Sequence, residues 1–143
     1  MSRLIREWPA ERMQDLSREV MVLDHVTIGV SDIERSTAFY DEALNAIGIK
    51  RLYAEGETFA GYGIEKKAFF WIGLKDTVIT GIHVAFTVTD RAAVDRFHAT
   101  ALTAGGHDNG MPGLRPHYHR NYYGAFILDP DGHNIEAVCH DPV

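Results

Sequence analysis

The sequence predicts an α+β domain made of two tandem βαβββ modules. Three observations carry this. The chain repeats itself at a spacing of 58 residues. Each copy runs from an alternating apolar strand through a capping dipeptide into an amphipathic helix. Each helix stops at glycine and is followed by three short strand-like runs.

The repeat lays HVTIGVSDIERSTAFYDEALNAIG (25–48) over HVAFTVTDRAAVDRFHATALTAGG (83–106) without a gap, with nine identities in 24 pairs. His25 pairs with His83, Asp32 with Asp90, Phe39 with Phe97 and Gly48 with Gly106. Chance supplies some identities between alanine-rich helices, but not the same order of start and stop signals.

In the first copy the strand spans 23–30, and Ser31-Asp32 supplies the helix N-cap, with Glu34 placed for a capping box after Ser31. Ile33, Tyr40, Leu44 and Ile47 lie on one helix face, and Gly48 gives a left-handed C-cap. Strands are then expected near 50–54, 58–63 and 67–74. In the second copy the strand is 81–88, Thr89-Asp90 caps, and Val94, Phe97, Ala101 and Leu102 form the apolar face. Gly105-Gly106 ends that helix, and strands are expected near 106–109, 121–128 and 133–140, the last two joined by DPDG. The modules are about 22–79 and 80–141 of one domain, 22–143. Residues 1–21 read as an arm, either a short helix after Pro9 or disordered.

The 143 residues suffice for one domain with its own core. A formal net charge of −6 excludes the basic stripe expected of a nucleic-acid binder. The single cysteine, Cys139, allows no intramolecular disulfide, and its parity places it on the helix side as a small core residue. No apolar run reaches the roughly 20 residues of a membrane span, and the N-terminal segment lacks the pattern of a signal peptide. A cytoplasmic location without membrane association is the expectation.

Parity along the strands selects the functional candidates. His25 shares a face with Thr27 and Gly29, whereas Val26, Ile28 and Val30 face the helix. His83 likewise stands opposite Val84, Phe86 and Val88. In the last strand Glu136 stands opposite Ile135, Ala137 and Cys139. Two imidazoles and a carboxylate, each mid-strand and turned from the helices, converge on one cavity if the modules pack side by side. That set binds a divalent cation and leaves positions open for water or substrate. Each residue alone also fits a hydrogen-bonded core polar group; the repeat relation between the histidines favours metal.

Between the sixth and seventh strands, 109–124 reads as a long loop, NGMPGLRPHYHRNYYG. Arg115 and Arg120 are placed to hold an anionic group, and His117 or His119 to serve as a base. Tyr118, Tyr122 and Tyr123 either join the site, with Tyr123 a substrate contact, or pack down. Trp71 and Phe126 suggest an apolar wall, His98 is expected at the surface of its helix, and His133 has no evident partner.

These segments, LDHVTIGVSDIERSTAFYDEAL, GIHVAFTVTDRAAVDRFHATALTAGG and AFILDPDGHNIEAV, resemble the vicinal oxygen chelate superfamily of glyoxalase I, extradiol dioxygenases, and fosfomycin- and bleomycin-resistance proteins. The resemblance covers about 22–141 and implies an eight-stranded mixed sheet curled around a metal, with two helices outside. It implies His25, His83 and Glu136 as ligands of a divalent ion (Zn, Ni, Mn or ferrous iron), a small-molecule substrate with vicinal oxygens, and a homodimer. The implied activity is metal-assisted stabilisation of an enediolate or oxyanion, as in lactoylglutathione lyase. Iron-dependent extradiol cleavage and non-catalytic ligand binding of the bleomycin-resistance type are the alternatives.

Members differ at identifiable positions. Glyoxalase I carries a fourth ligand, a glutamate on the fourth strand; here that strand is KAFFWIGL, aromatic near Trp71. Extradiol dioxygenases match the two-His, one-Glu set and place a His where His117 stands, but a Tyr where Phe126 stands. Fosfomycin-modifying relatives share the His25-to-Thr27 pattern and also carry Tyr at the Phe126 position. Bleomycin-binding relatives lack the metal ligands.

Overall fold

A computed structural model of the chain describes residues 23–143; the expected arm at 1–21 lies outside the described residues. The first module comprises β1 (Val26–Val30), α1 (Ile33–Asn45), β2 (Lys50–Glu55), β3 (Phe59–Ile64) and β4 (Lys67–Leu74). The second comprises β5 (His83–Val88), α2 (Arg91–Thr103), β6 (His107–Leu114), β7 (Tyr123–Leu128) and β8 (Asn134–Cys139). The eight strands form two four-stranded sheets, ordered β1-β4-β3-β2 and β5-β8-β7-β6. Each sheet pairs its first and last strands in parallel and the others antiparallel, so the repeat extends to topology. The strands do not run as one continuous sheet within the chain: β1 and β5 are both sheet edges.

The helices begin where a carboxylate satisfies an orphan amide. Asp32 Oδ1 accepts from the Arg35 amide at 2.9 Å and Asp90 Oδ1 from the Ala93 amide at 2.7 Å. Ser31 is not the cap, because its amide and hydroxyl both bond to Asp131 across the module boundary. Gly48 and Gly105 follow the helix ends at φ +80° and +106°, conformations that cost glycine little.

Parity held along the core. Ile28 and Val30 from β1, Phe86 from β5, and Ile135, Ala137 and Cys139 from β8 are all buried. They meet Phe39, Tyr40 and Leu44 of α1 and Val94, Phe97 and Ala101 of α2 in one cluster. The modules share this core: Phe70 of β4 packs edge-on against Phe86 of β5, ring centroids 5.3 Å apart. Leu102 differs from expectation and is exposed, while His98 takes an inward position. His98 Nε2 meets Asp108 Oδ1 of β6 at 2.8 Å, so the helix face includes a polar residue whose partner lies on the strand beneath it. The hydrogen bond from His98, and a second from the Gly110 amide, hold the Asp108 carboxyl below its ordinary range.

The DPDG turn clamps the second module onto the first. Asp129 Oδ1 accepts from the amides of Asp131 and His133, and Asp129 Oδ2 accepts from the Tyr40 hydroxyl at 2.5 Å. His133 is fully buried and its Nε2–H donates to the Gly29 carbonyl at 2.8 Å, which gives it the partner the sequence did not reveal. Among the described residues no helix is long and apolar enough to cross a membrane.

Candidate metal centre

Each sheet has one face covered by the shared core; on the outer face, Thr27 and Trp71 of the first sheet are accessible or partly so, whereas Glu136 and Val138 of the second are buried. On the outer face of the first sheet, Thr27 of β1 is in register with Trp71 of β4, and Trp71 with Gly61 of β3. His25 stands one residue before β1, not mid-strand, and half exposed. It borders a cavity of about 380 Å³ lined also by Asp24, Thr27, Phe59, Lys67 and Trp71. On the second sheet, His83 opens β5, and Glu136 sits mid-strand in β8, 1% exposed and in register with Ala85.

The two histidines share one hydrogen-bonding arrangement. His83 Nδ1 lies 3.0 Å from the Asn134 carbonyl oxygen, which can only accept, so Nδ1 carries the proton. His25 Nδ1 lies 2.7 Å from Asp24 Oδ1. A hydrogen bond from Lys67 Nζ at 2.7 Å, with the one from His25, holds that carboxyl below its ordinary range and hence ionised. In both rings Nδ1 is thus the nitrogen held by the protein, and Nε2 is the nitrogen turned outward. Histidines that ligate metals are oriented in this way, by donating the other ring proton to a carbonyl or carboxylate.

His83 Nε2 lies 3.0 Å from Glu136 Oε2. A ring nitrogen and a carboxylate oxygen at that separation share a proton, or a cation that takes its place. The other carboxylate oxygen, Oε1, accepts from the Tyr122 hydroxyl. Burial and that hydrogen bond push the Tyr122 phenol well above its ordinary range, so it stays a donor. An imidazole nitrogen and a carboxylate oxygen are donor types that divalent ions take, so this pair fits two positions of such an ion.

The structure brings His83 and Glu136 together but not His25 with them. Among the described residues no group of three or more His, Cys, Asp or Glu side chains is placed to hold one ion. His25 leads into an edge strand of one sheet, and His83 and Glu136 belong to the other.

The remaining candidates fall around the second half. Phe126 is in register with Glu136 and stacks on His83, centroids 6.0 Å apart, and the Arg115 guanidinium lies 5.6 Å from the Phe126 ring. The expected 109–124 loop is shorter. β6 runs on to Leu114 through two register shifts, and Pro112 is tolerated because β6 is an edge strand. Residues 115–122 form the remaining loop. On it His117 packs against Tyr118 at 4.2 Å, His119 lies 5.7 Å from the His140 ring, and Arg120 is exposed. Tyr123 leaves the site: it faces α2, donates to Asp95 Oδ1 at 2.7 Å and lies beneath Arg91. Tyr122, one residue earlier, takes the place beside Glu136. Two adjacent tyrosines at a loop–strand junction gave no phase to choose between them.

The internal symmetry also fixes the fourth position. Glu136 pairs with Ala85, whose repeat counterpart is Thr27, and Thr27 pairs with Trp71. Trp71 thus occupies in the first module the position that Glu136 occupies in the second.

Two βαβββ modules around one shared core, each pairing its first and last strands in parallel, define the class of fold. The family model described as the Glyoxalase/Bleomycin resistance protein/Dioxygenase superfamily matches residues 22–137, and the chain belongs to that superfamily. A glyoxalase/bleomycin resistance protein from Albidiferax ferrireducens T118 superposes with a TM-score of 0.70 at 28% identity, over 83% of this chain and 98% of that one. A glyoxalase/bleomycin resistance protein/dioxygenase family enzyme from Burkholderia phytofirmans PsJN superposes with a TM-score of 0.65 at 22% identity, covering 83% and 98%. Lactoylglutathione lyase from Agrobacterium tumefaciens does so with a TM-score of 0.62 at 14% identity, covering 82% and 92%; the last two likenesses concern the fold alone.

Proposed function

We propose that the protein is a glyoxalase-like metalloenzyme that holds a divalent ion with His25, His83 and Glu136 and acts on a small molecule presenting two neighbouring oxygens. The observation that carries this reading is the shared state of the histidines: both Nδ1–H groups are committed to acceptors, and Nε2 of His83 faces a buried carboxylate. A divalent ion bound there supplies Lewis-acid stabilisation of negative charge on substrate oxygens. The chain's own residues hold and orient. Asp24, itself held by Lys67, fixes the His25 ring, and Tyr122 keeps its proton and fixes Glu136. Arg115 adds positive charge beside Phe126. His119 Nδ1 accepts from the Asn121 amide at 3.3 Å, which leaves its proton on Nε2 and suits it to donate to a substrate oxygen.

Because the three donors lie on the outer faces of two separate sheets, the centre is completed by a second copy of the chain. His25 of one protomer joins His83 and Glu136 of its partner in a homodimer.

Trp71 at the fourth position supports a second reading. With three donors, two His and one carboxylate, the set suits ferrous iron, and iron-dependent extradiol cleavage is the corresponding reaction.

The test is elemental analysis of the purified full chain after loading with zinc, nickel, manganese or ferrous iron, beside His83→Ala and Glu136→Gln. About one ion per chain is expected in the wild type, with loss in both variants at unchanged circular dichroism. A wild type holding no more metal than the variants overturns the reading and leaves non-catalytic small-molecule binding in its place.

A further inference from the structure

Resting on the metal centre shared between two copies proposed above, we propose that Trp71 is a specificity-determining residue. Its indole forms a rigid aromatic wall against which the substrate lays a flat aromatic ring without negative charge, next to the oxygens that face the ion.

The wall is built into the sheet. Trp71 leans across Gly61 of the neighbouring strand, where a Cβ would stand 2.7 Å from the indole. Only glycine leaves that passage. Having crossed, the indole stacks on Tyr53 of β2, centroids 5.7 Å apart and planes 17° from parallel. Tyr53 backs the indole without lining the cavity, whereas Trp71 lines it together with Thr27 and His25. The same device recurs one strand pair along: the Phe59 ring lies where a Cβ on Gly73 would be, 2.8 Å away, and Phe59 lines the same cavity. Two aromatic residues over two glycines leave flat apolar surface beside His25.

Charge at this wall argues against an anionic ring. The cation that lines the cavity, Lys67, is committed to Asp24, and Glu55 adds a further carboxylate. An anionic substituent would find no uncommitted positive group here, whereas a ring face gains stacking and apolar burial. Where the internal symmetry offers the position of a fourth oxygen donor, the chain carries a stacking surface.

The experiment compares two probes that present the same pair of neighbouring oxygens and differ by a phenyl ring, acetohydroxamate and benzohydroxamate. Their binding to the metal-loaded full chain is measured by titration calorimetry. The wild type is expected to bind benzohydroxamate about tenfold more tightly. Trp71→Leu, which keeps apolar bulk without a π face, is expected to reduce that preference to within about twofold, read as the ratio of the two affinities in the same protein. Tyr53→Ala, which frees the indole, is expected to give an intermediate ratio without touching the cavity lining. Equal affinities in the wild type, or a full preference surviving in Trp71→Leu, overturn the assignment while leaving the metal reading intact. Binding of neither probe by the wild type overturns the metal reading and this assignment with it.

Discussion

The Tyr40 hydroxyl crosses from α1 to Asp129, whose other oxygen caps two amides of the DPDG turn, so one phenol helps lock the second module onto the first. Burial, reinforced by the neighbouring Asp129 carboxylate, pushes the Tyr40 phenol well above its ordinary value, and burial does the same to Tyr62. The sign follows from the neutral form being favoured in the folded state. The contribution is fully present below the unfolded value of about 10 and is lost as pH rises toward the folded one. Stability of the wild type should therefore fall steeply above about pH 10. Tyr40→Phe should fall less steeply there, yet be about 1.5–3 kcal/mol less stable at pH 7, where Asp129 has lost a donor. Urea denaturation at the two pH values checks both; parallel slopes in the two proteins would remove Tyr40 as the source. At this scale the sequence revealed parity, which selected His25, His83 and Glu136. It did not reveal that Asn134 and Asp24 orient the rings. The Asn134 contact is to a backbone carbonyl brought near by a parallel strand register, and no residue type encodes it.

Among the elements, boundaries set by caps and glycines were legible, because the signals are local: Asp32 and Asp90 open the helices, and Gly48 and Gly105 end them. The reach of β6 was not. Gly110, Pro112 and Gly113 read as loop, yet an edge strand needs ladder hydrogen bonds on only one side and accommodates them as bulges. The β3–β4 hairpin depends on a comparable irregularity at Gly63, where the register shifts and a Cβ would overlap the Lys67 carbonyl oxygen. Backbone cannot yield there as a flexible side chain can. Gly63→Ala is expected to cost roughly 3 kcal/mol, more than an ordinary surface substitution, because hairpin and bulge must rearrange together. The hairpin also carries Trp71, so near-ultraviolet circular dichroism should change along with the thermal midpoint. A midpoint within about a degree of the wild type would show that the bulge relaxes freely.

At the scale of the molecule, the repeat foretold two equivalent modules but not how they face each other. The shared core and the DPDG clamp decide that. Both helices and the covered faces of both sheets turn inward on one cluster, which leaves His25 and Glu136 on the outer faces of different sheets. A centre shared between two copies makes a quantitative prediction that a centre within one chain does not. His25→Ala and Glu136→Ala homodimers should each bind no metal specifically, since every site lacks a ligand. Mixed and allowed to exchange subunits, half the dimers become heterodimers, in which one site has lost both ligands and the other is intact. Metal content after exchange should therefore recover to about one quarter of the wild-type value, and the recovered sites should scale with the heterodimer fraction resolved by native mass spectrometry. If His25 and Glu136 served the same ion within one chain, mixing would restore nothing at any heterodimer fraction, and their placement on different sheets would need another explanation.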